Sequence, residues 1–463
     1  MKTPENISAI TAERIRRYDR PGPRYTSYPT AAEFHPGADA EVYEGHLRRA
    51  AEATGDTLSL YLHLPFCAER CHYCGCNVVI TRKREVAERY LDGLEREIRA
   101  AAGCLGHRRR LRQLHWGGGT PTYLTVAELR RLGEVVRGSF ELEADAEMAI
   151  EIDPRVTTVE QLEALRELGF NRLSLGVQDF TPEVQRAVNR VQPFEPTAEL
   201  VAAARGLGFP SINIDLIYGL PHQTVETFAE TLDLVKSLRP ERVAAYSYAH
   251  VPWMRVQQKR IREQDLPIPE VKLELIARAI DVFRGAGYRA IGMDHFALPE
   301  DELDRALDEG TLWRNFMGYT VRQANDLIGC GMSAISDVSG GLFQNDAKLI
   351  RYQRAMDAGR FATRRGVVLS AEDRLRRFVI TSLMCRFEVD TAEVEARFRI
   401  DFATTFASEV EALKPFVEDG FVEIGGGGIR VVGDGRLFVR NVCMAFDTYL
   451  SRAGSQRRFS RTV

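Results

Sequence analysis

Four cysteines fall within ten residues of one another: Cys67, Cys71, Cys74 and Cys76, in the segment LHLPFCAERCHYCGCN. The first three read C-x3-C-x2-C. Thiolates are the natural ligands of iron–sulfur clusters. Three of them on one loop leave the fourth iron of a four-iron cluster without a protein ligand. Such an open position can bind and activate a small molecule, as an open zinc position does. The same residues allow a second chemistry, a zinc knot on all four cysteines with His72 nearby. Zinc sites more often pair two C-x2-C halves from separate segments, and one half is present here. Cys104, Cys330, Cys385 and Cys443 are scattered singly and read as small buried hydrophobes rather than a disulfide framework.

The elements around the cysteines must hold them. From Thr57 to about Ser247, β-rich runs alternate with helical patterns: LSLYLHL (58–64), RQLHW (112–116), EMAIEI (147–152), NRLSLG (171–176), SINIDLI (211–217) and RVAAYSY (242–248). Val86, Tyr90, Leu91, Leu94 and Ile98 share one helical face. Thr125 with Glu128 and Thr158 with Gln161 match capping boxes. Gly169, Gly208 and Gly287 each stand where a helix gives way to a strand, as left-handed C-caps do. Six or so βα units in series imply a parallel sheet, open or curled into a partial barrel, with its chemistry at the C-terminal strand ends. The cysteine loop follows the first strand. Gly117-Gly118-Gly119-Thr120-Pro121 follows the second, where glycines let the backbone approach a ligand closely. Glu151 is a carboxylate at the end of the third.

Composition sets outer limits. The chain has 463 residues, enough for two or three domains, with a formal net charge of -3 that gives no reason to expect nucleic acid as a partner. No apolar run reaches membrane-spanning length and the first 20 residues do not read as a signal peptide, so the expected compartment is the cytoplasm. Residues 1–55 form an arginine- and proline-rich arm around RPGPRYTSYPTA. After Leu369, helical patterns at 372–388, 391–398 and 403–418 precede two β-rich runs joined by GGGG at 425–428, which suggests a winged-helix-like domain serving as a lid or packing unit.

C-x3-C-x2-C after a first strand, the glycine loop and Glu151 together resemble the radical S-adenosylmethionine (SAM) superfamily. GPRYTSYPT (22–30), CNVVITR (76–82), LHWGGGTPTYL (114–124), RLSLGVQDF (172–180), NIDLIYGLP (213–221), RNFMGYT (314–320) and NVCMAFDTYL (441–450) resemble, more narrowly, the oxygen-independent coproporphyrinogen III oxidase family. A related branch of haem chaperones looks similar at the cluster but lacks Cys76 and the GPRYTSYPT arm.

The resemblance implies an α/β fold, a partial (β/α)6 TIM-like barrel of the radical SAM type. It divides into an arm over residues 1–55, a catalytic domain with an extension over 56–365 and a mainly helical, winged-helix-like domain over 366–463. It implies oxidative decarboxylation of coproporphyrinogen III to protoporphyrinogen IX in haem biosynthesis, with a [4Fe–4S] cluster on Cys67, Cys71 and Cys74 and two SAM molecules. Tyr61, Tyr73, Gly118, Glu151 and Ile335 would hold the first SAM; Gly119, Thr120, Gln178, Arg190, Asp215 and Ala249 would hold the second. Asp215 suits ribose hydroxyls, and Arg190 suits a two-fold carboxylate clamp. Cys76, two residues past Cys74, is implied to be a non-ligand with a part in catalysis, alongside Tyr61.

The substrate of that family carries four carboxylates. Arg24, inside the arm motif, is the leading candidate to bind one, with Arg16, Arg17, Arg20, Lys259, Arg260, Arg262 and Arg314 behind it. His295 reads as a core histidine. An electron donor and an electron acceptor are implied as partners, and the chain is expected to be a monomer.

Overall fold

The computed structural model describes residues 17–53, 55–451 and 459–462. Six parallel strands form in the order expected: β1 (Leu58–Leu64), β2 (Arg110–Gly118), β3 (Glu141–Ile152), β4 (Arg172–Gln178), β5 (Ser211–Tyr218) and β6 (Arg242–Ser247). A seventh, β7 (Asp326–Cys330), lies parallel to β1 on its other side. Antiparallel strands extend both edges, Ile335–Val338, Gly341–Asn345 and Thr363–Val368 beyond β7 and His295–Ala297 and Arg289–Ala290 beyond β6, to make twelve. β2 runs longer than the β-rich run RQLHW, so Gly117 and Gly118 are its last residues rather than a loop after it.

Alternation along the strands divides the sheet into two unlike faces. Ile212, Ile214 and Leu216 of β5 are buried on one face with Leu173 and Leu175 of β4, in the main core. The other face carries Gln113 and His115 of β2, Glu147 and Glu151 of β3, Ser174 of β4, and Asn213 and Asp215 of β5, which line one cavity. Barrel interiors are usually filled with branched apolar side chains, so a polar inner face marks a place kept for something else.

The connecting helices obey the capping rules. Thr125–Glu128 and Thr158–Gln161 form reciprocal capping boxes. Gly169, Gly208 and Gly287 adopt φ of +87°, +79° and +90°, and the Phe170 amide bonds back to the Leu165 carbonyl at 3.0 Å.

Helix α1 (Ala40–Ala50) lies within the stretch read as a proline-rich arm; Asp39 caps it, and its Tyr43, Leu47 and Ala50 enter the main core. Upstream, Tyr18, Tyr25 and Tyr28 join a second core made by the C-terminal helices. Tyr18 stacks on Phe416 with centroids 4.5 Å apart, and the Tyr25 hydroxyl donates to Asp447 at 3.0 Å. The chain ends meet here: Pro21 pairs with Arg461, and the Arg440 guanidinium donates to the Gly22 and Pro23 carbonyls.

In the C-terminal region, helices at Ala371–Arg386 and Thr391–Phe398 match expectation. The pattern at 403–418 is three short helices instead of one, Phe402–Thr405, Ala407–Ala412 and Lys414–Glu418. Pro415, in the first turn of the last piece, has no amide hydrogen to continue a longer helix. Val422–Gly425 and Gly428–Val431 form the expected hairpin, joined by a third strand, Glu388–Asp390.

Candidate cofactor and active site

The cysteine loop leaves the C-terminal end of β1. Two two-residue strands, Phe66–Cys67 and Val79–Ile80, close its base. The loop is nailed down from outside. His72 bonds through its amide to the Val188 carbonyl at 2.9 Å, the Asn189 amide group donates to the Arg70 carbonyl at 3.0 Å, and Gln258 Nε2 donates to the Tyr73 carbonyl at 2.9 Å. All eight cysteines are free thiols. Among the described residues, no three His, Cys, Asp or Glu side chains gather around a single-ion position.

Charge is aimed at the sulfurs. Arg155 Nη2 and Arg190 Nη1 each lie 3.8 Å from Cys71 Sγ, and Thr120 Oγ1 lies 3.5 Å from Cys67 Sγ. Both guanidiniums also bond to Asp153. Burial pushes the Asp153 carboxyl up, but Arg190 and Arg155 bring it below its ordinary value. Cys76, beside Cys74, draws the Cys74 thiol down to about 6 and is itself driven up. Burial pushes the Cys67 thiol up to about 11, so a metal group there would have to displace a held proton.

The three glycines crowd the protein's own groups, not an open space. A Cβ on Gly117 would stand 2.7 Å from Glu151 Oε1, one on Gly118 2.7 Å from the His63 ring, and one on Gly119 2.6 Å from the Pro65 carbonyl carbon. Gly118, at φ +118°, takes a conformation that favours glycine, and its amide donates to Glu151 Oε2 at 3.0 Å. Close approach therefore locks the end of β2 against the loop base and β3. Burial raises the Glu151 carboxyl, while His115, with Nε2 3.4 Å from Oε1, and the Gly118 amide lower it below its ordinary value.

A cavity of about 260 Å³ opens beside the loop, lined by Tyr61, His63, Cys76, Gly118, Glu151 and Ile335 among others. The Tyr61 hydroxyl lies 3.0 Å from His63 Nδ1, and His63 Nε2 lies 2.9 Å from the Asn77 carbonyl oxygen. The Tyr61 ring stacks on His115 at 5.9 Å between centroids. A second cavity, about 110 Å³, continues along the inner sheet face and shares Glu151 and Met317 with the first. Asp215 sits in it, accepting from Ser174 Oγ and Asn213 Nδ2 at 2.9 and 2.8 Å, and burial pushes its carboxyl up to about 6.

The other expected site residues are distributed as follows. Thr120 and Gly119 meet the loop base through backbone bonds to Phe66 and Leu64. Gln178 ends β4 with φ +71°, an uncommon conformation for a residue with a side chain. Arg190 does make a two-fold carboxylate clamp, but on Asp153, at 3.1 and 3.2 Å. Its Nε is buried without a hydrogen-bond partner among the described residues. Tyr73 packs into a small apolar cluster with Val184, Val188 and Tyr248, outside both cavities. Ala249 is tied to it through Gln258, whose Nε2 donates to both carbonyls.

Arg24 reaches the C-terminal end of β6, donating to the Ser247 carbonyl at 3.0 Å, with Asp294 3.7 Å away. Arg314 is buried with its guanidinium 4.6 Å above the Tyr319 ring. His295 is buried against Asp294 at 2.7 Å, as a core histidine would be, yet it also lines the second cavity. Lys259, Arg260 and Arg262 are on the surface rather than in either cavity, and so are Arg17 and Arg20; Arg16 lies outside the described residues. Five neighbours went unread in the sequence: His63, Asn77, His115, Asp153 and Arg155. The two histidines carried a signal, since His63 follows Tyr61 by two on β1 and His115 faces the same side of β2.

The donor set fits an iron–sulfur cluster. The ligands would be three free cysteines on one fixed loop, with two guanidinium groups and a hydroxyl on their sulfurs to tune it. The orphaned Arg190 Nε, beside Cys71, is a donor still to be used.

Residues 61–235 match the model of the radical SAM superfamily, and residues 369–438 that of the HemN C-terminal domain. The oxygen-independent coproporphyrinogen III oxidase of Pseudomonas aeruginosa is 48% identical over 98% of both chains. The Salmonella typhimurium protein of the same name is 46% identical over 97% of both. The solved structure of coproporphyrinogen III oxidase from Escherichia coli, described as a radical SAM enzyme, superposes with a TM-score of 0.89 at 46% identity, covering 92% of this chain and 98% of its own. The chain thus belongs to the oxygen-independent coproporphyrinogen III oxidase family of radical SAM enzymes.

Proposed function

We propose that the protein converts coproporphyrinogen III to protoporphyrinogen IX, turning two propionate side chains into vinyl groups, in the cytoplasm and as a step of haem synthesis. The observation that carries this is the fixed loop of Cys67, Cys71 and Cys74 beside a polar cavity holding Tyr61, Cys76 and Glu151. When bound, a [4Fe–4S] cluster and SAM would supply radical chemistry at a propionate side chain, which would lose a hydrogen from its β-carbon, its carboxyl group as CO2 and one electron to an acceptor.

The chain's own residues do the rest. Cys67, Cys71 and Cys74 would hold the cluster. Cys76, which lines the cavity, would stay off it and face the reaction space. Tyr61, Gly118, Glu151 and Ile335 wall the first SAM position, with Tyr73 behind the loop. Gly119, Thr120, Gln178, Arg190, Asp215 and Ala249 would take a second SAM; of these, Asp215 lines the second cavity, where it would offer its carboxyl to ribose hydroxyls. Arg24, at the mouth of β6, takes a substrate carboxylate.

Anaerobically reconstituted protein given coproporphyrinogen III, SAM, dithionite and a one-electron acceptor should release two CO2 per protoporphyrinogen IX formed. Cys76→Ser should keep the cluster absorbance and lose turnover. Protein that cleaves SAM but never decarboxylates this substrate would overturn the assignment.

A further inference from the structure

The wall that braces the cysteine loop from outside has an unusual surface. Trp253, Met254 and Val256 are 61, 56 and 70% exposed, three large apolar side chains within four residues. Contiguous exposed apolar surface on a folded protein marks an interaction site more often than chance, and Trp and Met are enriched in such sites. Next in the chain come Lys259 and Arg260, both exposed. On the loop beside them is Arg70, also exposed. Arg260 bonds to His72 Nε2 at 3.2 Å and Arg70 to the Val78 carbonyl at 3.4 Å, and among the described residues neither has a carboxylate partner within 4 Å. In a chain of net charge -3, this is a local concentration of positive charge.

The patch is physically continuous with the cysteines. Gln257 donates to the Cys74 carbonyl, Gln258 to the Tyr73 carbonyl, and Arg255 Nη1 to Asn77 Oδ1 at 3.2 Å. Three side chains of the segment thus bond directly to the cysteine loop.

We infer that this surface docks an acidic one-electron carrier protein that reduces the cluster; the inference rests on the cluster assignment proposed above. One electron leaves the carrier, which is oxidised by one unit, and enters the cluster, which is reduced by one; no atom or proton is transferred. The apolar trio supplies a small dry contact, and Arg70, Lys259 and Arg260 steer an acidic partner into place. Short-lived electron-transfer complexes are typically small and held in this manner.

The test uses cluster-loaded full-length protein and an acidic flavodoxin as probe. Binding is read by fluorescence anisotropy of labelled flavodoxin, and SAM cleavage is measured with reduced flavodoxin and, separately, with dithionite. Lys259→Glu with Arg260→Glu, and Trp253→Ser with Val256→Ser, should each weaken binding at least about tenfold. Binding of the wild type should fall as salt rises from low to physiological strength, and dithionite-driven SAM cleavage should be unchanged in both variants. Binding that neither pair alters, or equal binding of a basic cytochrome, would overturn the docking site. So would a wild-type dimer that Trp253→Ser with Val256→Ser dissolves, since the patch would then face a second copy. Absence of any dithionite-driven SAM cleavage in the wild type would instead sink the cluster assignment, whatever the binding result.

Discussion

At the N-terminal ends of the strands, Arg172 pairs with Glu147 at 3.0 Å and Glu302 at 2.7 Å, Arg242 with Asp301 at 2.8 Å, and Arg322 with Asp145 at 2.8 Å. At the C-terminal ends, Arg155 and Arg190 share a single carboxylate, Asp153, and each also turns one donor to Cys71. Residue types are the same at both ends, but the ratio is not. Where three arginines face four carboxylates, Glu147, Asp301, Glu302 and Asp145, the network closes on itself and seals the sheet. Where two cations share one, positive charge is left over, and it lies on the Cys71 sulfur. The count of partners, not the presence of arginine, separates the structural end from the chemical one.

Breaking the two ends should therefore have different signatures. The largest effect belongs to the chemical end: Cys67→Ala should abolish both the cluster absorbance after reconstitution and 5′-deoxyadenosine formation, with the melting transition of the cluster-free chain little changed. At the structural end, Arg242→Met leaves buried Asp301 short of a partner and should cost about 3–5 kcal/mol in chemical denaturation, while iron content per folded molecule stays constant. A drop in iron content without loss of stability would erase the distinction between the ends.

Asp153→Asn sharpens the comparison, because it releases both upper arginines at once. Removing an outer-shell partner typically costs about 10–100-fold in metal affinity. Iron retention against a chelator should fall by that order, and the cluster potential should shift. Unchanged retention and potential would make Arg155 and Arg190 structural after all.

A smaller effect is expected at Glu97, buried in helix α2 (Arg84–Leu105). It accepts from the Gly331 amide and Tyr352 hydroxyl at 2.7 Å and from Asn345 Nδ2 at 2.6 Å, fixing the turn that leads to Ser333 and Ile335. Glu97→Gln sets an amide donor against these donors and should cost about 1–3 kcal/mol. Adding Asn345→Asp restores a donor–acceptor pair and should recover part of that loss in thermal unfolding.

The smallest effect is a pH dependence. Burial raises the Asp215 carboxyl from 3.8 to about 6, so the folded state holds this proton more tightly than the unfolded chain. Its stabilising contribution is full below about pH 4 and is lost as pH rises through about 6. The melting temperature of the wild type relative to Asp215→Asn should fall across that window and level off above it. A flat difference from pH 4 to 8 would show that Asp215 stays ionised.

Much of this was legible from local patterns. Capping residues, helix-ending glycines and alternation within each strand act over a few residues, so Thr125, Gly169 and the SINIDLI run showed their roles directly. The polar inner face was also readable, because Asn213 and Asp215 alternate with Ile212 and Ile214. Partners brought together by the fold were not. Nothing near Arg190 in the chain announces Asp153, 37 residues earlier. Glycines 117–119 read as open space for a ligand, and only the third dimension shows Glu151, His63 and Pro65 filling it. The edge strands beyond β7 were missed because each is at most six residues long and pairs antiparallel with its neighbour.

The contact between the arm and the C-terminal region has a consequence for how the arm is held. The arm carrying Arg24 is held by Arg440, by Arg461 and by a bond from the Thr462 amide to the Arg20 carbonyl. Each of these partners lies more than 400 residues from the arm in sequence, so Arg24 reaches the end of β6 only when the C-terminal region is folded. The cysteine loop has its own braces in Val188, Asn189 and Gln258. Loosening the C-terminal region would therefore free Arg24 and leave the loop in place.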